Sequence, residues 1–68
     1  MDMRKVVGGN VRAVRQARGM TQEQLAEQSG FSQQYISDLE RGRRNPTIVS
    51  LYELAQALKS TPIDLLQP

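Results

Sequence analysis

The apolar residues of this chain fall in short helical stripes separated by glycine, serine and threonine. Val7, Val11 and Val14 recur at spacings of four and three, which sets them on one face of a helix that stops near Arg18-Gly19. Valine is a mediocre helix former, so burial of that stripe must hold the helix. Thr21-Gln22-Glu23-Gln24 reads as a capping box: Thr21 is the N-cap, Gln24 reaches back to it, and Leu25 and Ala26 form the buried face of a second helix over about 22–28. Ser29-Gly30-Phe31 breaks that helix, because Gly30 can take the left-handed conformation that ends a helix sharply, and Ser32 is ready to cap the next.

The third helix is predicted from about Gln33 to Arg41, with Ile36 and Leu39 inward and Gly42 as terminator. Arg43-Arg44-Asn45-Pro46 is a loop, and Thr47 caps a fourth helix with a buried stripe of Ile48, Leu51, Leu54, Ala55 and Leu58. Thr61-Pro62-Ile63-Asp64 supplies an N-cap, a proline at the first helical position and an acid at the third, so a short last helix starts there, with Ile63 and Leu66 expected to close the core. No segment reads as a strand. The expected fold is all-α, five helices in one domain over residues 1–68, since a chain this short supports a single core.

Composition removes several functions. There is no cysteine and no histidine, so disulfides are out and only carboxylates and weak oxygen donors are left as metal ligands; neither a metal nor a cofactor is expected. With scattered carboxylates and no nucleophile–base pair, an enzyme is the weakest reading. No apolar run exceeds two residues and no signal-peptide core follows Arg4 and Lys5, so a cytoplasmic protein without a membrane partner is expected. The net charge of +2 says little, but its distribution says more. Residues 1–20 carry five bases against Asp2, residues 21–40 carry Glu23, Glu27, Asp38 and Glu40 with no base, and Arg41, Arg43 and Arg44 cluster directly afterwards. Phosphate binding would fall to the flanks of the middle segment.

Two short helices joined by a glycine-containing turn, over about residues 21–40, form a helix-turn-helix, whose second helix fits the major groove of duplex DNA. With Ile36 and Leu39 inward, that helix presents Gln33, Gln34, Ser37 and Asp38 outward. A glutamine amide donates and accepts together and matches adenine N6 and N7, while a carboxylate accepts from the cytosine amine. Asp38 has two readings, cytosine readout or pairing with Arg41. Thr21, Ser32, Tyr35, Arg41, Arg43 and Arg44 are candidates for phosphate contact and positioning, and Gln22 lies at the exposed start of the second helix. Val49 and Tyr52, off the buried stripe of the fourth helix, are a candidate dimer face.

The chain resembles the phage-repressor-like helix-turn-helix family, the Cro and cI-like or XRE family. The resemblance runs through Val7-Gly8, Val11-Arg12, Val14-Arg15, Met20 to Ala26, Gly30, Ser32, Ile36, Leu39-Glu40, Gly42, Pro46, Leu51, Leu54-Ala55, Leu58 and Leu65-Leu66. It implies a five-helix domain whose third helix enters the major groove, with Gln33, Gln34, Ser37 and Asp38 facing bases. It implies further that Gln22 contacts a phosphate and buttresses Gln33, and that Arg15 and Glu40 form an ion pair between helices one and three. Family members usually act as homodimers on palindromic operators, often as repressors. Tyr35 is larger than the residue some members carry. The family's repressors often have a further dimerisation or sensor domain, whereas this sequence stops at Pro68, which best suits a small controller of a neighbouring gene or restriction-modification operon. The competing readings are an antitoxin-type protein-interaction module that also binds its own promoter, and a helical domain that has lost DNA binding, against which the Arg41–Arg44 cluster argues.

Overall fold

The computed structural model describes residues 1–68 as five helices: α1 (Met3–Ala17), α2 (Gln22–Ser29), α3 (Gln33–Glu40), α4 (Ile48–Ala57) and α5 (Pro62–Leu66). Each begins where a short polar side chain satisfies a free backbone N–H. Asp2, Thr21, Ser32, Thr47 and Thr61 are the N-caps, and full capping boxes close at Thr21/Gln24, Thr47/Ser50 and Thr61/Asp64. Each such cap contributes about 1 kcal/mol, a useful margin for helices of five to ten residues that are too short to persist alone.

The core is Val7 and Val11 from α1, Leu25 and Ala26 from α2, Ile36 and Leu39 from α3, Leu51, Leu54 and Ala55 from α4, Leu58 at its C-cap, and Leu65 from α5. α3 packs against α1 and α2, α4 against α2 and α5, and α5 returns to α1. α1 and α3 meet at Gly8, where an added Cβ would collide with the backbone carbonyl oxygen of Leu39. Two side chains from α1 and its C-cap tie down later elements by bonding to backbone carbonyls. Asn10 Nδ2 donates to the Leu65 and Gln67 carbonyls at 3.0 and 2.7 Å, and Arg18 donates to those of Leu58 and Lys59, both at 3.0 Å. No helix is long and apolar enough to cross a membrane.

Several boundaries and burials differ from the sequence reading. α2 runs one residue further, to Ser29, and α3 stops at Glu40 with Arg41 as its C-cap. Ile48, expected inward, is 86% exposed. The buried residues Ser50, Leu51, Leu54, Ala55 and Leu58 centre the inward face roughly a quarter turn away from it at about 100° per residue. Ile63 and Leu66 are exposed as well, and Leu65 closes the core in their place. Residues two apart lie on nearly opposite sides of a helix, so burying Leu65 turns Ile63 to solvent.

Candidate nucleic-acid interface

The helix-turn-helix is set from both of its helix starts. The Thr21 hydroxyl accepts from Gln24 N–H at 3.0 Å while Gln24 Oε1 accepts from Thr21 N–H at 2.8 Å, and the Ser32 hydroxyl accepts from Tyr35 N–H at 3.0 Å. Between them, Gly30 caps α2 at φ +83°, in the left-handed region the sequence assigned to it. Ala26 and Ile36 are both buried where α2 and α3 pack together.

Beneath the outward face of α3 lies a closed polar network. Arg15 Nε and Nη2 donate to Glu40 Oε2 and Oε1 at 2.6 and 2.9 Å, and Arg15 Nη1 donates to the Met20 carbonyl at 2.8 Å. Only 3% of the Glu40 side chain and 11% of the Arg15 side chain are exposed, so this bidentate pair is shielded from solvent. The hydrogen bonds to Glu40 push the Arg15 guanidinium above its ordinary value against the opposing effect of burial, which holds it firmly in the charged form. The expected pair between helices one and three is therefore present. Gln22 joins it by donating from Nε2 to Glu40 Oε1 at 3.0 Å. The half-buried Gln22 thus faces the Glu40 carboxylate across the α2–α3 packing, and it makes no hydrogen bond to Gln33.

Of the base-reading candidates, Gln33 and Gln34 are exposed in the first turn of α3, and Ser37 and Asp38 follow half-buried on the same helix. The Asp38 carboxylate accepts from Gln34 Nε2 at 3.0 Å. Pairing of Asp38 with Arg41 is not found; the neighbour one helical turn earlier takes that place, as i,i+4 geometry favours. Arg41, Arg43 and Arg44 are all exposed, and the turn that carries them is closed by Arg43 N–H donating to the Asp38 carbonyl at 2.9 Å. They do not share one environment. Arg44 lies with its guanidinium carbon 4.8 Å from the centre of the Tyr35 ring, and Tyr35 stacks on Phe31 with centroids 4.7 Å apart and planes at 25°. Phe31 was missed as a participant, and its only sequence signal is that it lies four residues before Tyr35. On α4, Val49 and Tyr52 are 67% and 52% exposed beside Ile48.

The HTH_3 helix-turn-helix family profile matches residues 11–66. The chain belongs to this helix-turn-helix family. It is a transcriptional regulator with a helix-turn-helix DNA-binding domain. This helix-turn-helix chain is 59% identical over 68 residues to an uncharacterized HTH-type transcriptional regulator, y4dJ, of Sinorhizobium fredii, covering 100% of this chain and 88% of the relative. It is 42% identical over 66 residues to the control protein C.SmaI of Serratia marcescens, covering 97% and 79% of the two. Among solved structures it is similar, with a TM-score of 0.87 and 34% identity over 96% of this chain and 86% of the other, to the restriction-modification controller protein C.Esp1396I, a tetramer in complex with its natural 35-base-pair operator.

Proposed function

We propose that this regulator binds a palindromic operator in duplex DNA as a homodimer, acting as a repressor or small controller of a nearby gene on the bacterial or phage nucleoid. The observation that carries the reading is the contrast across α3: a helix anchored from below by a shielded ion pair presents four polar side chains of base-matching type outward. Gln33, Gln34, Ser37 and Asp38 select bases, and the Gln34–Asp38 hydrogen bond makes those two a unit. Arg41, Arg43 and Arg44, with Thr21, Gln22 and Ser32, set register on the phosphates, and Tyr35 serves them as a positioning residue through its ring. Gln22 suits this task because one amide hydrogen bonds to Glu40 and the second is left to donate outward.

The dimer face is α4, where Ile48, Val49 and Tyr52 stand in solvent over a single helical turn. The exposed Ile48 enlarges the surface that Val49 and Tyr52 alone suggested. Two copies would place their third helices on half-sites about one helical turn, roughly 34–36 Å, apart. Likeness to controller proteins, one of them solved on its operator, supports the same reading.

The test is selection from random duplex DNA with the purified chain, followed by titration of the enriched and a scrambled duplex at two salt concentrations. A palindrome bound at least about 10³-fold more tightly than the scrambled duplex, with affinity falling steeply with salt, is the expected result. Equal, weak binding to both would overturn operator recognition and point to a protein partner.

A further inference from the structure

Phe31, Tyr35 and Arg44 come from the turn before α3, its first turn and the loop after it, yet the fold stacks them in one column. Both rings are half-buried against the core, so the column has a fixed base. Arg44 tops it without a carboxylate partner, since the ion pairs of the molecule are Arg4–Asp2 and Arg15–Glu40, and its guanidinium makes no hydrogen bond to the protein. A guanidinium held over a ring by cation–π attraction spends no hydrogen bond on that contact, so its N–H donors stay free for the oxygens of a phosphate. Arg41 and Arg43 have no such support, although they are as exposed and as close in sequence to α3.

We propose that Tyr35, backed by Phe31, is a positioning residue that holds Arg44 beside the first turn of α3 with its N–H donors ready for one DNA phosphate. The inference deepens the operator-binding reading and rests on it. Ordering an arginine on binding costs rotamer freedom, and a side chain already laid on a ring has given up part of that freedom beforehand. The column also moves a charge: the third arginine of the run is carried back from the end of α3 toward its beginning, where the helix would enter the groove.

The experiment is a double-mutant cycle on DNA binding, read on both the selected operator and the scrambled duplex. Tyr35→Leu is expected to weaken binding about two- to fivefold when Arg44 is present and to have no effect in an Arg44→Ala background, while Tyr35→Phe, which keeps the ring, binds like the wild type. Arg44→Ala is expected to lower the salt slope by about one on either duplex. Equal losses from Tyr35→Leu in both backgrounds would overturn the inference, as would Tyr35→Phe behaving like Tyr35→Leu, because the hydroxyl would then be a DNA contact in its own right. Tyr35→Phe and Arg44→Ala leave the buried residues untouched, so the test survives even if Tyr35→Leu fails to fold. In the free protein the Arg44 δ-methylene protons should be shifted by the ring current in wild type and Tyr35→Phe, and unshifted resonances would count against the column. Loss of preference for the operator would instead sink the reading in "Proposed function", since a phosphate contact is measurable on either duplex.

Discussion

On the inner face of α3, Ile36 and Leu39 have no exposed surface and Glu40 accepts hydrogen bonds from α1 and α2 together, whereas on the outer face Gln33 stands free in solvent and Gln34 bonds only to Asp38. The two sides of one eight-residue helix are thus specified to different degrees. The inner side fixes where the helix lies, through packing and a shielded charge pair that tolerate no displacement. The outer side has no fully buried side chain and no charge pair, only the Gln34–Asp38 hydrogen bond, so its exposed members contribute little to the fold. Substitution at the exposed Gln33 and Gln34 is therefore expected to leave the helix in place.

The sharpest way to break this comparison is Glu40→Ala. It strands the Arg15 guanidinium in a shielded site, with an expected loss of about 3–5 kcal/mol in urea unfolding, comparable to the whole stability of a domain this small. A cooperative transition near the wild-type midpoint would show that the pair is not an anchor. Next comes Gly8→Ala, where the new methyl group meets the Leu39 carbonyl and α1 must separate from α3, at an expected cost of about 2–3 kcal/mol. Gly9→Ala is its control: nothing lies within 4 Å of the added atom, so a gain of about 0.5–1 kcal/mol in the same helix is expected.

On the outer face, Gln33→Ala is expected to leave thermal unfolding unchanged, weaken the cognate operator by about 1–3 kcal/mol and relax the preference at one base pair. Arg43→Ala, by contrast, weakens all sequences alike. Uniform weakening by both variants in a binding-site selection would remove Gln33 from base reading.

The smallest effect expected is with pH. Hydrogen bonds from the Ser60 hydroxyl and from the Thr61 amide hold the Asp64 carboxyl below the usual aspartate range. A lowered value in the folded state means that the stabilisation is complete above the ordinary range and fades as pH falls through the folded value. The α5 amide resonances of the wild type should therefore shift in acid with that midpoint, and those of Asp64→Asn should not.

Local chemistry was the most legible part of the fold. Threonine and serine caps at Thr21, Ser32, Thr47 and Thr61 and the turn at Gly30 could be read from the sequence because each depends on a few consecutive residues. The Arg15–Glu40 pair was legible only through family resemblance, since the two residues are 25 apart in the chain. What escaped the sequence depends on elements meeting. Nothing near Gly8 announces a carbonyl from α3 at its surface, and nothing near Asn10 or Arg18 announces the carbonyls they bind more than 35 residues later. Ile48 and Ile63 were misplaced because a hydrophobic residue at a helix start has too few neighbours in its own turn to define which way the stripe faces. The outward residue types of α3 were legible. Their pairing was not: the Gln34–Asp38 bond and the Phe31–Tyr35–Arg44 column are choices among rotamers that composition cannot rank.

Asn10 carries a consequence for how the molecule opens. A five-residue helix has no stability of its own, and α5 is kept in place by its capping box, by Leu65 in the core and by the two carbonyls that the Asn10 amide grips. When that grip releases, Leu65 leaves an apolar gap against α1 while α2 and α3 keep their own contacts. Opening of the native state is therefore expected to begin with α5 peeling away, visible as early amide exchange over residues 63–67, while α3 stays packed on α1 and α2.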